Sequence, residues 1–426
     1  MVFGGEMCGW EHALSSQHYT DRFRAYRKNI HNTIGTKNAV SRYYPHQETE
    51  VRRFLYRVLE EPEKLLHHIR TEAGAIILKI SHGYTIEPRN ADPLVNLADE
   101  ALLQFSLAVQ PGAWLVDVLP FLRHVPDWMP GTGFKKTAKR WKRTLTELAE
   151  KPHAFVKKQM AAGIAPPSYT SLLLEKGNLS PEEEFVVKWS AASLYSGGAD
   201  TTVSSMACFF LAMALFPEVQ RKAKEEIDCV VGTDRLPTFA DRAQLPYVDA
   251  VVKETLRWHP VAPMGLPHQT SDDDIYNGMF IPKGSMMMPN IWGFMHDPNT
   301  FHDPMTYKPE RFLGVDGREP EMDTHQLCFG FGRRICPGRE LADASVFLSI
   351  AQSLAVFNIT KPTDESGKVI EPKVYFQPGI ISHPAEFQVT IKPRDAKAEA
   401  LIRSIEEEHP FESGDAEELN SIKVDL

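Results

Sequence analysis

The chain has 426 residues, is 42% hydrophobic and carries a formal net charge of −9. That composition is globular, with apolar residues enough for a large core, and it excludes a disordered or fibrous chain. Residues 394–426 hold ten acidic and four basic side chains, so most of the charge sits there, and the near-neutral remainder has no nucleic-acid footprint.

The opening run MVFGGEMCGWEHAL is too short and too mixed for a signal peptide, and no uninterrupted apolar run is long enough to span a bilayer. From about Thr20 to Leu66 apolar residues recur at helical spacing, with breaks near Gly35 and Pro45. Asp92 to Val109 predicts another helix, stopped by Pro111 and Gly112. AWLVDVLPFLRHVPDWMPG, Ala113 to Gly131, reads either as a buried loop or as a hydrophobic patch that touches a membrane surface. Lys135 to Met160 predicts a basic amphipathic helix with a solvated charged face.

Pro181 to about Phe216 reads as one long helix, apolar on most sides and therefore central. Ser180 is its N-cap, Pro181 lies in its first turn, and acids at 182–184 favour its positive end. Pro217 opens the next helix, through Val230. Strand-like runs come late, in DDIYNGMFIPKGSMMMPN and PAEFQVTIKP. The expected fold is mainly α (α+β), a helical domain with small β-sheets over residues 1–393. An acidic, partly helical, solvated tail over 394–426 follows.

The five cysteines, Cys8, Cys208, Cys229, Cys328 and Cys336, are odd in number and form no C-x-x-C pair. A disulfide scaffold is therefore disfavoured and a reducing compartment favoured. Cys336, in FGFGRRICPG, is open to three readings: packed thiol, disulfide half or metal ligand. It stands just before a predicted helix, whose positive end favours a thiolate. Gly332 and Gly338 allow close backbone approach to a flat ligand, and Arg334 is placed to meet a negative group. A lone cysteine does not suit structural zinc, whereas one axial thiolate is enough for haem iron.

Three further groups stand out. In YSGGADTTVS two glycines inside a helix mean either close helix packing or a flat ligand against the backbone. Thr201 is spaced to return its hydroxyl to the Gly197 carbonyl, with Asp200 beside it as a proton source. Glu254 and Arg257 share a helix face at i and i+3, and Arg311 in PERF offers a third partner.

In order and separation, these groups resemble the cytochrome P450 family. Phe329, Gly332, Arg334, Cys336 and Gly338 look like its haem-binding signature F-x-x-G-x-R-x-C-x-G. Gly198, Asp200 and Thr201 resemble its oxygen-activating helix. Glu254 and Arg257 resemble its E-x-x-R pair, and Arg311 that pair's third member. FRAYR resembles the family's W-R-x-x-R, with Phe23 in the tryptophan's place and Arg24 and Arg27 retained. His268 matches a basic residue on a later strand. The flavour is similar to fungal membrane-bound members of secondary metabolism.

The resemblance implies haem b on Cys336, with Arg334, Arg24, Arg27 and His268 toward its propionates. It implies NADPH electrons through a partner NADPH–cytochrome P450 reductase, and insertion of one oxygen atom of O2 into an apolar small molecule. Asp200 and Thr201 would deliver protons, and Glu254, Arg257 and Arg311 would hold the haem loop. By the same analogy the substrate meets Ala191 to Ala199, Val261 to Leu266, and the QPGIIS segment. The implied location is the cytosolic face of the endoplasmic reticulum. The chain is expected to begin after the family's membrane helix, hinge, first helix and first strands. The alternatives are a haem-thiolate isomerase or peroxygenase without a reductase, against which the acid–alcohol pair argues, and a truncated, non-functional product.

Overall fold

The computed structural model describes residues 1–314 and 317–424. Among them are ten α-helices of eight residues or more: α1 (Asp21–Ile34), α2 (Tyr44–Glu60), α3 (Leu65–His82), α4 (Pro93–Ala108), α5 (Gly133–Ala161), α6 (Pro181–Leu215), α7 (Pro217–Val230), α8 (Pro246–Trp258), α9 (Arg339–Val356) and α10 (Ala396–Arg403). Several start where side-chain chemistry dictates. Thr20 caps α1 by accepting from Phe23 N, and Asp92 caps α4 by accepting from Leu94 N at 2.8 Å. Ser180 and Glu183 satisfy each other's backbone N–H groups at the start of α6, with Pro181 at the first position.

Helix α6 organises the rest. Its first half, from Val186 to Ala199, belongs to a core shared with α1, α3, α4 and α5. Its second half, from Val203 to Ala214, belongs to a second core with α2, α7, α8 and α9. Asp200 and Thr201 fall at the joint between the two. Of the helices described, α6 alone has the length and composition to cross a membrane, yet 72% of its apolar window is buried in the fold.

Among the described residues the β-structure is three two-stranded antiparallel sheets. β1 (His268–Gln269) pairs with β4 (Met286–Met287), β2 (Asp274–Tyr276) with β3 (Met279–Ile281), and β5 (Phe357–Thr360) with β6 (Thr390–Pro393). Asn277 and Gly278, both at positive φ, make the tight turn between β2 and β3.

Four features differ from the sequence expectation. Helix α3 lies largely in a stretch for which no element was predicted; it is buried almost all round, which removes the periodicity a sequence reading needs. Pro45 begins α2 rather than breaking a helix, because the first turn has no hydrogen bond to lose there. In Ala113 to Gly131, Trp114 is half-buried against the core: it stacks on Phe3 at 3.6 Å, meets Trp141 edge-on, and donates Nε1–H to Leu107 O at 2.8 Å. Leu115, Val118, Phe121 and Trp128 are exposed, Trp128 by 82%. The acidic segment after residue 393 packs onto the body, with Ile402 and Ile405 buried in the second core and Leu419 in the first.

Candidate active site

The Cys336 loop is shaped by two left-handed glycines, Gly330 at φ 74° and Gly332 at φ 57°. They fold the chain back so that Cys336 N donates to Phe329 O at 2.7 Å. Cys336 is partly buried, three residues before α9. Burial pushes its thiol up, and the Gly338 N–H, Arg27 and Arg339 pull it back toward thiolate. Arg27 of α1 donates Nη1–H to Ile335 O at 2.6 Å, which ties α1 to the residue before the cysteine.

Arg334 lies with its guanidinium carbon 4.3 Å from the Phe23 ring centroid and donates to Gln17 O at 2.5 Å. Phe23, which lacks the indole N–H, thus serves as an aromatic floor for this guanidinium. Neither Arg27 nor Arg334 has a carboxylate partner among the described residues, although burial disfavours the charge of both and Arg27 adds repulsion at Arg334. His268 on β1 lies close enough to feel Arg334. Arg24 sits further out, paired with Asp21 and placed over Tyr19, which also carries Arg333.

These features fit haem. Two half-buried guanidinium groups without carboxylate partners among the described residues match two propionates, one partly buried thiol matches one iron ligand, and a side chain at Gly330 or Gly332 would meet no atom within 4 Å.

On α6, Thr201 Oγ1 donates to Gly197 O at 2.9 Å, as its spacing predicts. The two glycines divide the two readings between them. A Cβ at Gly198 would lie 2.7 Å from Ile77 Cγ1, so Gly198 lets α3 and α6 approach, whereas a Cβ at Gly197 would meet nothing within 4 Å. The Asp200 carboxylate receives His383 Nε2 at 3.1 Å. Asp99 of α4 lies nearby: burial lifts it to about 6, Arg70 opposes that and Asp200 adds to it. Asp99 also faces Arg70 Nε at 3.4 Å, at a partly exposed position. Sequence reading missed His383, Asp99 and Arg70; they come from three separate segments and no motif marks them.

Glu254, Arg257 and Arg311 meet as expected and are fully buried. Arg257 makes a bidentate pair with Glu254, both bonds 2.8 Å, and Arg311 Nε donates to the same carboxylate at 3.1 Å. Lys308 N adds a fourth hydrogen bond, at 2.7 Å. Thr324 donates to Lys253 O and so ties the approach to the cysteine loop to α8. His325, one residue on, bridges Asp323 at 2.7 Å and Asp343 of α9 at 2.9 Å, and stacks on Phe329. Burial alone would lower His325; the two carboxylates outweigh it and hold it at about 9.

Two of the three segments expected to surround the substrate, Val261 to Leu266 and QPGIIS, meet at Ser382, and α6 reaches it through Ser204, beyond the expected Ala191 to Ala199. Ser204 of α6 donates to Ser382 O at 2.6 Å, and Ser382 N donates to Val261 O at 2.8 Å.

Among solved structures, a zebrafish cytochrome P450 with abiraterone superposes with a TM-score of 0.71, covering 93% of this chain and 87% of that one. At 21% identity that likeness shows the fold, mainly α with small sheets. Residues 17–391 match the family model described as Cytochrome P450. The chain is 53% identical over 419 residues to cytochrome P450 monooxygenase claR of Ampulloclitocybe clavipes, covering 98% of this chain and 78% of the relative. It is 44% identical over 416 residues to O-methylsterigmatocystin oxidoreductase of Aspergillus flavus, covering 97% and 78%. The chain belongs to the cytochrome P450 family. It is a monooxygenase, an oxidoreductase that uses haem b and electrons supplied from NADPH through a redox partner, and it acts on a small molecule.

Proposed function

We propose that Cys336 is the axial haem ligand and that the chain inserts one oxygen atom of O2 into an apolar small molecule of secondary metabolism. The carrying observation is the cysteine loop: a partly buried thiol at a helix start, beside two half-buried guanidinium groups without carboxylate partners among the described residues. Bound there, haem supplies reductive activation of dioxygen, helped by electron donation from the thiolate.

The protein's own groups do the rest. Arg27 and Arg334 hold the propionates, with His268 and Arg24 at their rim. Phe329, Gly332 and Gly338 shape the loop around the ligand, and Gly197 leaves room on α6. Glu254, Arg257 and Arg311 keep the loop's approach rigid. Thr201 holds a hydroxyl at the Gly197 carbonyl, and Asp200, bonded to His383, passes protons inward, with the partly exposed carboxyl of Asp99 nearby as their entry and Arg70 pairing with Asp99 without giving up its own proton. Residues 1–393 carry the site, and the segment after them contributes packing.

An apolar substrate is supported by the composition of the three expected segments, which carry no charged side chain between Ala191 and Ala199, Val261 and Leu266, or Gln377 and Ser382. One relative is named for oxidation of O-methylsterigmatocystin, which supports an organic small molecule. The exposed Leu115, Val118, Phe121 and Trp128 support contact with a membrane surface, and with it the cytosolic face of the endoplasmic reticulum and NADPH–cytochrome P450 reductase as the electron donor. The test is a carbon monoxide difference spectrum of the reduced, purified chain. A red-shifted Soret band that Cys336→Ser abolishes is expected, because a neutral hydroxyl cannot replace the thiolate donor. A band that survives this substitution would overturn the ligand assignment.

A further inference from the structure

Between α2, α3 and the C-terminal segment lies a cavity of about 240 Å³ that takes no part in the site above. Its charged walls are Glu50, Arg53 and Arg57 of α2, Lys79 of α3, and Glu412, with Phe411 beside them. Arg53 is fully engaged: it bonds Glu50 Oε1 at 2.6 Å, His409 O at 3.3 Å and Pro410 O.

Arg57 is not. Its side chain is only 9% exposed, its Nε reaches Pro88 O at a long 3.4 Å, and its Nη2 is 3.9 Å from Glu50. Its Nη1 has no partner among the described residues. A buried guanidinium N–H without an acceptor is costly, so the position favours an incoming anion. The neighbouring Glu72 does not supply the charge, because burial lifts its carboxyl to about 8. Among the described residues, Lys79 Nζ makes one hydrogen bond, to Thr85 Oγ1 at 2.8 Å. Glu412 reaches over the cavity but holds loosely, 3.4 Å from Arg53 and 3.8 Å from Lys79. Phe411 lies under the guanidinium groups of Arg53, Arg57 and Arg89, at 5.6, 5.2 and 5.9 Å, and so fixes the C-terminal segment as a cover.

We propose that this cavity binds a compact, doubly charged oxyanion, free phosphate, between Arg57 and Lys79, with Glu412 as a built-in competitor. Of the two carboxylates the chain already supplies there, Glu50 is held by Arg53 and reaches Arg57 only at 3.9 Å, and Glu412 does not reach it, so Arg57 Nη1 is left without an acceptor among the described residues. A tetrahedral dianion offers acceptors to the Arg57 fork and to Lys79 together.

The test is calorimetric titration of the haem-bound enzyme with inorganic phosphate, with succinate and chloride as comparisons, all at one ionic strength. Saturable one-to-one phosphate binding is expected, and succinate should bind more weakly. Lys79→Met and Arg57→Met should each weaken phosphate by about tenfold or more, the usual effect of losing a charge-assisted hydrogen bond. Glu412→Gln should strengthen it several-fold. Lys79 is a third exposed, so its variant carries the test if Arg57→Met does not fold. Absence of saturable phosphate binding in both the wild type and Glu412→Gln, succinate binding as tight as phosphate, or unchanged affinity in Lys79→Met would each overturn the proposal. The carbon monoxide band is unaffected in every case, so this outcome is independent of the haem assignment.

Discussion

Alanine at Gly198 would place a methyl group 2.7 Å from Ile77 Cγ1 and 2.8 Å from Ile77 Cδ1, distances that packed carbon atoms do not sustain. Either α3 and α6 separate or Ile77 leaves its rotamer, and such overpacking costs about 1–3 kcal/mol. The gain in helix propensity on replacing glycine returns about 1 kcal/mol, so Gly198→Ala should be destabilising by up to about 2 kcal/mol. Gly197→Ala, one residue earlier, meets no atom within 4 Å and should stabilise the haem-free protein by up to about 1 kcal/mol. Its cost should appear when the flat ligand is added, as reduced haem uptake or a shifted Soret band. Urea unfolding of both haem-free variants, followed by haem titration, separates the two effects. Ile77→Ala provides a double-mutant cycle: it should couple to Gly198→Ala by about 1 kcal/mol or more and leave Gly197→Ala additive. Equal unfolding midpoints for the two glycine variants, or no coupling to Ile77, would refute the division of roles between these neighbours.

Glu254→Ala removes four hydrogen bonds and leaves buried Arg257 without a carboxylate and Arg311 with Glu321 alone, a loss of about 3–5 kcal/mol; a lowered denaturation midpoint and loss of retained haem are expected, and full haem content would contradict this. His325, held at about 9 against an ordinary 6.5, is stabilising in full below about pH 6.5, and that contribution is lost as pH rises through about 9. The stability gap between wild type and His325→Ala should therefore shrink by up to about 3 kcal/mol between about pH 6 and pH 10, as denaturant titrations would show; a constant gap would be contrary to the bridge between Asp323 and Asp343. Replacing Leu115, Val118, Phe121 and Trp128 with serine should reduce flotation with lipid vesicles, whereas Trp114→Ser should lower stability instead, since its ring is stacked on Phe3.

Relations within a helical turn or two were legible in the sequence. Ser180 with Glu183, Thr201 with Gly197, and Glu254 with Arg257 each follow from spacing of three or four residues, which places partners on one face whatever the rest of the chain does. The cysteine loop was legible in part: Gly332 turns at positive φ as expected, whereas the second left-handed glycine is Gly330, and Gly338 sits at an ordinary φ of −94°. Tertiary structure decided the rest. Arg311 reaches Glu254 from 57 residues away and His383 reaches Asp200 from 183 away, and no periodicity links residues so far apart. Nothing in GG tells which glycine lies against Ile77, since that depends on the rotation of α6 against α3. Trp114 and Trp128 share one aromatic, proline-rich run, yet one stacks on Phe3 and the other faces solvent. Burial is set by what the remainder of the chain brings to each position, and only the packed fold supplies that partner.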